Sequence, residues 1–369
     1  MFERRLFFHV DWALLTAILL LAGIGVAMIY STTYVTLPSG EGYAGSQVRT
    51  QLYALAIGLV ALIVCLAIDY RILAEHSLFL YAGLAGLLIF VLFKGSTQFG
   101  AQRWIDLGPF NLQPSEFARL VLALMLGMYY GESRRGARNS GDLVIGGLFM
   151  LLPLLLIAKQ PDLGTAVTLV PVFLGVVYLA GMRMRLLAVI ALAGVLIAPI
   201  AWKFALEPYQ RSRIQTFIDP SQDPRGAGYQ TIQARITVGS GGLTGKGFRK
   251  GTQGQYKFLP VAHNDFIFSV LAEEKGFVGV LIALGLYLFV ILRSLEAARL
   301  AKDRLGAYLV GGIIAGFSFQ VIYNVAMSAG LAPVKGITLP LMSYGGSSLI
   351  ATMATFGLIL NVRMRRFTN

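Results

Sequence analysis

Ten runs of about 17 to 25 mostly apolar residues divide this chain, at approximately 12–31, 51–68, 77–93, 115–131, 142–158, 163–181, 186–204, 265–292, 306–328 and 339–361. An α-helix needs about 20 such residues to cross about 30 Å of hydrocarbon. Lipid offers no partner to a backbone N–H or C=O, so a lone apolar run that spans it does so as a helix. The sequence therefore predicts an all-α integral membrane protein, a bundle of ten transmembrane helices forming one polytopic domain over residues 1–369. With 56% hydrophobic and only 13% charged residues, a soluble globular domain is excluded. The opening "MFERRLFFHVDWALL" has the basic start of a signal peptide, but its long apolar core lacks a small-x-small cleavage site and reads as a retained first span. Cys65 is alone, which rules out a disulfide framework or a cysteine metal site.

Lysine and arginine set the orientation. With the N-terminus inside, the cytoplasmic segments hold fifteen of the 31 basic residues, whereas the short outer connections hold five: Arg49, Lys94, Arg103, Lys159 and Lys335. Short inner loops retain positive charge, so both termini are predicted to be cytoplasmic. Residues 205–264, between the seventh and eighth spans, then form a large extracytoplasmic loop. It carries eight basic residues, Arg211, Arg213, Arg225, Arg235, Lys246, Arg249, Lys250 and Lys257, against Glu207, Asp219 and Asp223. The net charge of +13 would suggest nucleic acid in a soluble protein; in a membrane protein it points to orientation and anionic lipid, and no nucleic-acid partner is expected. Long loops are exempt from the charge rule, so the basic loop has two readings: attraction to lipid headgroups, or a bound polyanion such as a pyrophosphate.

In this topology "QPSEFAR", "QPDLGTA", "FLPVAHNDFIF" and "LPLMSYGGSS" all stand where spans four, six, eight and ten begin, on the outer face. Helix N-termini carry unpaired N–H groups and partial positive charge, which suits an anion. Each motif also has an ordinary reading. Pro, Ser and an acid are what any helix start prefers, and that reading is favoured for Asp162. Glu116 and Arg119, one turn apart, are placed to form an ion pair, either as a structural edge or as part of an internal cavity. Trp104 fits an interfacial belt, Gly345 and Gly346 fit close helix packing, and Lys335 fits a snorkelling side chain. Asp265 could simply face the helix dipole. A carboxylate partly desolvated at the membrane boundary could equally act as a general base, with His263 a competing base two residues away; chemistry alone leaves both open.

The ordered series "RWIDLG", "QPSEFARL", "QPDLGTA", "PYQRSRI", "DPRGAGYQ", "GSGGLTGKGF", "FLPVAHNDFIF", "AEEKGFVG" and "LPLMSYGGSS" resembles the SEDS family of shape, elongation, division and sporulation proteins along essentially the whole chain. The wording is closer to the elongation (RodA) branch, with the division (FtsW) branch second. The resemblance implies an inverting peptidoglycan glycosyltransferase that polymerises lipid II on the outer face of the bacterial cytoplasmic (inner) membrane. It also implies a class B penicillin-binding protein as partner within the elongation machinery. The family's essential acid falls on Asp265 and its charged pair on Glu116 and Arg119, where lysine is frequent at the second position. Asn264 stands where threonine is expected. Substrate contacts are implied at Arg103, Trp104, Gln113, Asp162, Gln210, Arg213, His263, Lys335 and Ser343. A divalent cation, Mg or Mn, is a candidate cofactor, and no organic cofactor is expected. The competing roles are a lipid II flippase and a non-catalytic scaffold for the transpeptidase.

Overall fold

A computed structural model describes residues 9–36, 42–98, 101–106, 108, 111–133, 140–189, 192, 196, 208–219, 221, 226–255, 258–259 and 262–367. Among these, helices occupy nine of the ten apolar runs: Trp12–Thr33, Ser46–Ala67, Ser77–Lys94, Ala118–Glu132, Ser140–Lys159, Leu163–Leu179, Ile267–Arg299, Arg304–Ser328 and Gly346–Met364. Among the described residues, seven helices are long and apolar enough to cross a membrane. The seventh run, 186–204, is helical at 184–189 and otherwise lies largely outside the described residues.

The boundaries depart from the apolar runs where polar chemistry intervenes. The fourth run opens with a 3-10 turn, Pro114–Phe117, before its helix begins. Residues 339–345, counted in the tenth span, are turn and irregular chain, and the helix begins only at Gly346. The all-α expectation also needs a small correction. Between Lys94 and Pro114 the chain forms a three-stranded antiparallel sheet, Ser96–Gln98, Ala101–Asp106 and Asn111–Leu112, with Ile105 opposite Leu112. A short hairpin pairs Val35–Thr36 with Gly42–Tyr43. The 205–264 segment is more than a loop, because it contains the helices Pro208–Ile218 and Ala227–Ser240 and a single turn at Thr252–Gln255. Thr231, Ala234 and Thr237, at three-residue spacing, bury one face of the second helix.

Gly346–Met364 is the central helix, with 94% of its apolar window buried. Enclosure by protein is what lets it carry Ser347, Ser348, Thr352, Asn361 and Arg363. Asn361 donates to the carbonyls of Cys65, Leu66 and Ile68 at 3.1, 2.7 and 2.7 Å and accepts from the Tyr70 amide at 3.3 Å. One side chain thus closes the C-terminus of Ser46–Ala67 and the start of the next turn. Gly357 lies against that same helix so closely that a Cβ would fall 2.5 Å from the Leu62 carbonyl oxygen. A small residue is required for this crossing.

At the end of the bundle where Trp12–Thr33 begins, Arg363 pairs with Asp11 at 2.9 Å and with Glu296 at 3.2 Å, and Arg293 pairs with both acids. Asp11 is almost fully buried, so its charge depends on these arginines. Replacing Arg363 by glutamine should cost about 2 kcal/mol, below the 3–5 kcal/mol of a fully orphaned charge because Arg293 remains. Thermal unfolding of the detergent-solubilised protein measures it, and an unchanged midpoint would show that the cluster is energetically idle.

Ile267–Arg299 is broken at Gly276, whose φ of 66° and ψ of −166° are not helical. The backbone groups freed by the break are taken up by the segment 242–247. Lys246 and Gly247 amides donate to the Glu273 and Glu274 carbonyls at 2.9 and 3.0 Å, while Phe277 and Val278 amides donate to the Gly242 and Leu243 carbonyls at 2.9 and 3.1 Å. The fully buried Glu273 carboxylate accepts from Lys246 Nζ at 2.7 Å and from the Thr252 amide at 2.9 Å, and Glu274 accepts from the Ser31 hydroxyl. The glycine-rich "GSGGLTGKGF" and "AEEKGFVG" are therefore two halves of one clamp.

Candidate functional site

The end of the bundle opposite the Asp11 cluster gathers the N-termini of four helices. Gln113, just ahead of the 3-10 turn, donates through its amide N–H to the Ser347 hydroxyl at 2.8 Å, and Ser347 donates to the Asn111 carbonyl at 3.0 Å. The Gln113 side chain donates to Asp162 Oδ2 at 2.9 Å. Asp162 caps Leu163–Leu179 by accepting from the Thr165 amide at 3.1 Å, as its position predicted. It also pairs with Arg103 at 3.3 Å, so every oxygen of this buried carboxylate is engaged. Strand Ala101–Asp106 delivers Arg103, whose guanidinium lies 4.4 Å from the Trp104 ring centroid. Trp104 serves as the platform that orients it. Glu116 and Arg119 form the pair that their spacing allows, at 2.6 Å and largely buried.

Asp265 stands in the turn 262–266, before a helix whose cap residue is Phe266. Asp11, Asp69, Asp162 and Asp303 each stand at a helix start and each accepts a backbone N–H there. Asp265 does not, which removes the ordinary explanation for its presence. Its carboxylate has no hydrogen bond or ion pair among the described residues, while Arg213 and Arg103 lie near enough to favour its charge and Asp162 near enough to oppose it. Desolvation dominates and pushes its pKa up to about 6. The group is thus ionised at neutral pH yet a better proton acceptor than an ordinary carboxylate.

The turn is held from three sides. Ala262 and Phe266 enter a small apolar core with Ala234, Leu259, Val270, Met327 and Val334. The Tyr344 amide donates to the His263 carbonyl at 2.9 Å, and Asn324 donates to the Asp265 carbonyl at 3.0 Å. His263 packs edge-on to Tyr344 at 5.5 Å, and burial holds its imidazole below the usual histidine range. The facing wall is the irregular segment 331–345. Gly336 has a φ of 63°, and a Cβ there would lie 3.5 Å from Asp265 Oδ2. Beside it, Lys335 has no ion-pair partner among the described residues; burial, then Arg213, lowers its pKa. Arg213 is exposed and donates to the Val334 carbonyl at 3.3 Å.

Arg103, Gln113, Asp162, Arg213, His263, Asp265 and Lys335 are therefore brought together. Ser343 is not: it is buried, its hydroxyl accepts from the Leu339 amide at 2.8 Å, and its carbonyl accepts from Gln51 at 3.2 Å. It shapes the turn, with its hydroxyl oxygen committed to a backbone amide. The Gln210 side chain lies outside the described residues. Asn324 and the Lys246–Glu273 clamp were missed by motif reading. Asn324 had a signal, a carboxamide inside the apolar run "FSFQVIYNVAMS". Among the described residues no three of His, Cys, Asp and Glu gather at one point, so these side chains do not build a metal site of their own.

Such a bundle, with Arg103 and Arg213 near a carboxylate that is unpaired among the described residues, defines a polytopic membrane protein with a cationic site at one end. The family model described as "Cell cycle protein", which groups FtsW, RodA and SpoVE, matches residues 11–367. The chain belongs to this family, the one its motif series resembles. It is 39% identical over 360 residues to the peptidoglycan glycosyltransferase MrdB of Escherichia coli (strain K12), covering 97% of this chain and 94% of that one. Its fold is similar to a chain solved in work on the structural coordination of polymerization and crosslinking by a peptidoglycan synthase complex, with a TM-score of 0.83, 34% identity, and 98% and 99% of the two chains covered. It is also similar to the crystal structure of the rod shape determining protein RodA of Thermus thermophilus, with a TM-score of 0.72, 30% identity and 98% of each chain covered.

Proposed function

We propose that this chain is an inverting peptidoglycan glycosyltransferase that polymerises lipid II into glycan strands during cell elongation. It works as one polytopic domain of ten spans in the bacterial cytoplasmic membrane, with both termini inside and the site facing out. The observation that carries this reading is the Asp265 carboxylate: it stands one residue ahead of a helix cap, caps no helix, and has Arg213 and Arg103 near enough to favour its charge. The 4-hydroxyl of one lipid-linked saccharide attacks the anomeric carbon of another. As the new C–O bond forms, the bond to the pyrophosphate breaks and its electron pair leaves with the lipid. Asp265 accepts the hydroxyl proton, and the cations stabilise the growing negative charge of the leaving group. Asp265 is preferred to His263 as the base because the carboxylate has no hydrogen-bond or ion-pair partner among the described residues, whereas the imidazole packs against Tyr344. A divalent cation would be carried mainly by the substrate's own phosphate oxygens, with Asp265 a nearby carboxylate uncommitted among the described residues. The likeness to a chain of a peptidoglycan synthase complex supports a class B penicillin-binding protein as partner.

Polymerisation of labelled lipid II by the purified protein with its cognate transpeptidase tests the reading. Glycan strands are expected; their absence alongside lipid II translocation in vesicles would establish a flippase, and absence of both would leave a scaffold. In the same assay, Arg213→Gln should raise KM about tenfold through the lost contact to pyrophosphate. An unchanged KM would remove Arg213 from the binding site.

A further inference from the structure

Asn324 is completely buried near the end of Arg304–Ser328. A carboxamide in such a place is costly unless its donors are used. Its Nδ2 donates twice, to the Asp265 carbonyl at 3.0 Å and to the Ile337 carbonyl at 2.7 Å. Both acceptors belong to irregular chain, the first in the turn that carries Asp265 and the second in the segment that carries Lys335 and Gly336. Inside a bundle such carbonyls need a donor from elsewhere in the protein. Among the described residues no side-chain bond fixes the Asp265 carboxylate, so its place depends on its backbone.

We propose that Asn324 is the positioning residue of the glycosyl-transfer site, a single carboxamide that sets the Asp265 carboxylate against the Lys335–Gly336 wall at the distance the reaction needs. The inference rests on the proposed glycosyltransferase function and adds a residue to it. Asn324 touches no reacting atom and acts through the separation of two backbone segments. A misplacement of about 1 Å at a catalytic group can cost about 100-fold in rate. The second bond matters as much as the first, because it ties the wall to the same atom that ties the base.

The test is lipid II polymerisation by the complex of the full chain with its transpeptidase, comparing wild type, Asp265→Asn, Asn324→Leu and Asn324→His. Asn324→Leu keeps the branching and the number of heavy atoms, at a larger volume, and removes both donors; Asn324→His retains one ring N–H. The expected result for Asn324→Leu is a kcat about 100-fold lower with KM within about threefold of wild type, and partial recovery in Asn324→His. The pH profile gives a second readout. Asp265 is faced by Arg213 from Pro208–Ile218, Arg103 from the sheet, Asp162 at a helix start, Lys335 in the wall and His263 in its own turn. Releasing the turn lets the carboxylate relax towards Arg213 and solvent, which lowers its pKa, so the acid limb should move to lower pH. A purely structural residue would lower the folded fraction without moving that limb. An unchanged kcat, or a loss that follows the folded fraction with the limb fixed, would overturn the proposal. Failure of the underlying function would show separately, as an inactive wild type or an active Asp265→Asn.

Discussion

Asp265→Asn is expected to lower glycan polymerisation by about three orders of magnitude while leaving the protein at least as stable as wild type. A general base contributes about 10²–10⁴ to rate, and asparagine cannot accept the hydroxyl proton. Stability moves the other way because the native carboxylate is desolvated and makes no hydrogen bond among the described residues. Burial pushes its pKa up to about 6 in the folded protein, from the 3.8 of an ordinary exposed aspartate. The folded state therefore binds the proton more tightly than the unfolded state between these values. Stability falls as pH rises from about 4 to about 6, and the charged form remains a burden at neutral pH. Removing the charge should gain about 1–2 kcal/mol at pH 7, discounted from the full shift because the carboxylate is partly exposed. Wild-type activity should fall as pH drops through about 6, when the base becomes protonated. Thermal unfolding alongside the polymerisation assay checks both halves. Retained activity would move the base role to His263, and an inactive variant that melts well below wild type would mean a structural role for Asp265.

The helices were legible because lipid leaves an apolar run only one conformation, and nine of the ten runs are helical among the described residues. The strands at 96–112 were not, since two- to six-residue pairings between helices leave too little alternation to read. Spacing alone anticipated the Glu116–Arg119 pair and the capping role of Asp162. What it could not do was separate Asp265 from the four aspartates that cap helices, because all five stand within two residues of a helix start. The structure tells them apart: Asp265 stands one residue ahead of the Phe266 cap, and among the described residues no backbone N–H reaches its carboxylate. Ser343 shows the opposite failure. The family resemblance implied a substrate contact there, while its hydroxyl oxygen accepts from a local backbone amide. The glycine-rich motifs carried no readable role, since the carbonyls and amides they serve lie about thirty residues further along the chain.

Those motifs support the second large effect, at the break in the helix that follows Asp265. Gly276→Ala should destabilise the protein by about 3–5 kcal/mol, for two independent reasons. A φ of 66° with ψ of −166° is reached almost exclusively by glycine. A Cβ would also fall 2.3 Å from the Gly245 amide nitrogen and 2.6 Å from the Leu243 carbonyl oxygen, both backbone atoms that cannot swing aside. Relieving the contact means lifting 242–247 away and losing its four backbone bonds to Glu273, Glu274, Phe277 and Val278. Those groups would be left unsatisfied at the membrane edge. Gly285→Ala, further along the same helix, is the control: nothing lies within 4 Å of its Cβ position, and alanine favours the helix. It should be neutral or slightly stabilising. Thermal midpoints of the two variants within about 1 kcal/mol of each other would show that the break tolerates a side chain. A large gap would show that the turn carrying Asp265 stands on a half-helix held in place by the clamp. Polymerisation by Gly276→Ala should then decline at temperatures below its melting point, as the half-helix loosens before the bundle unfolds.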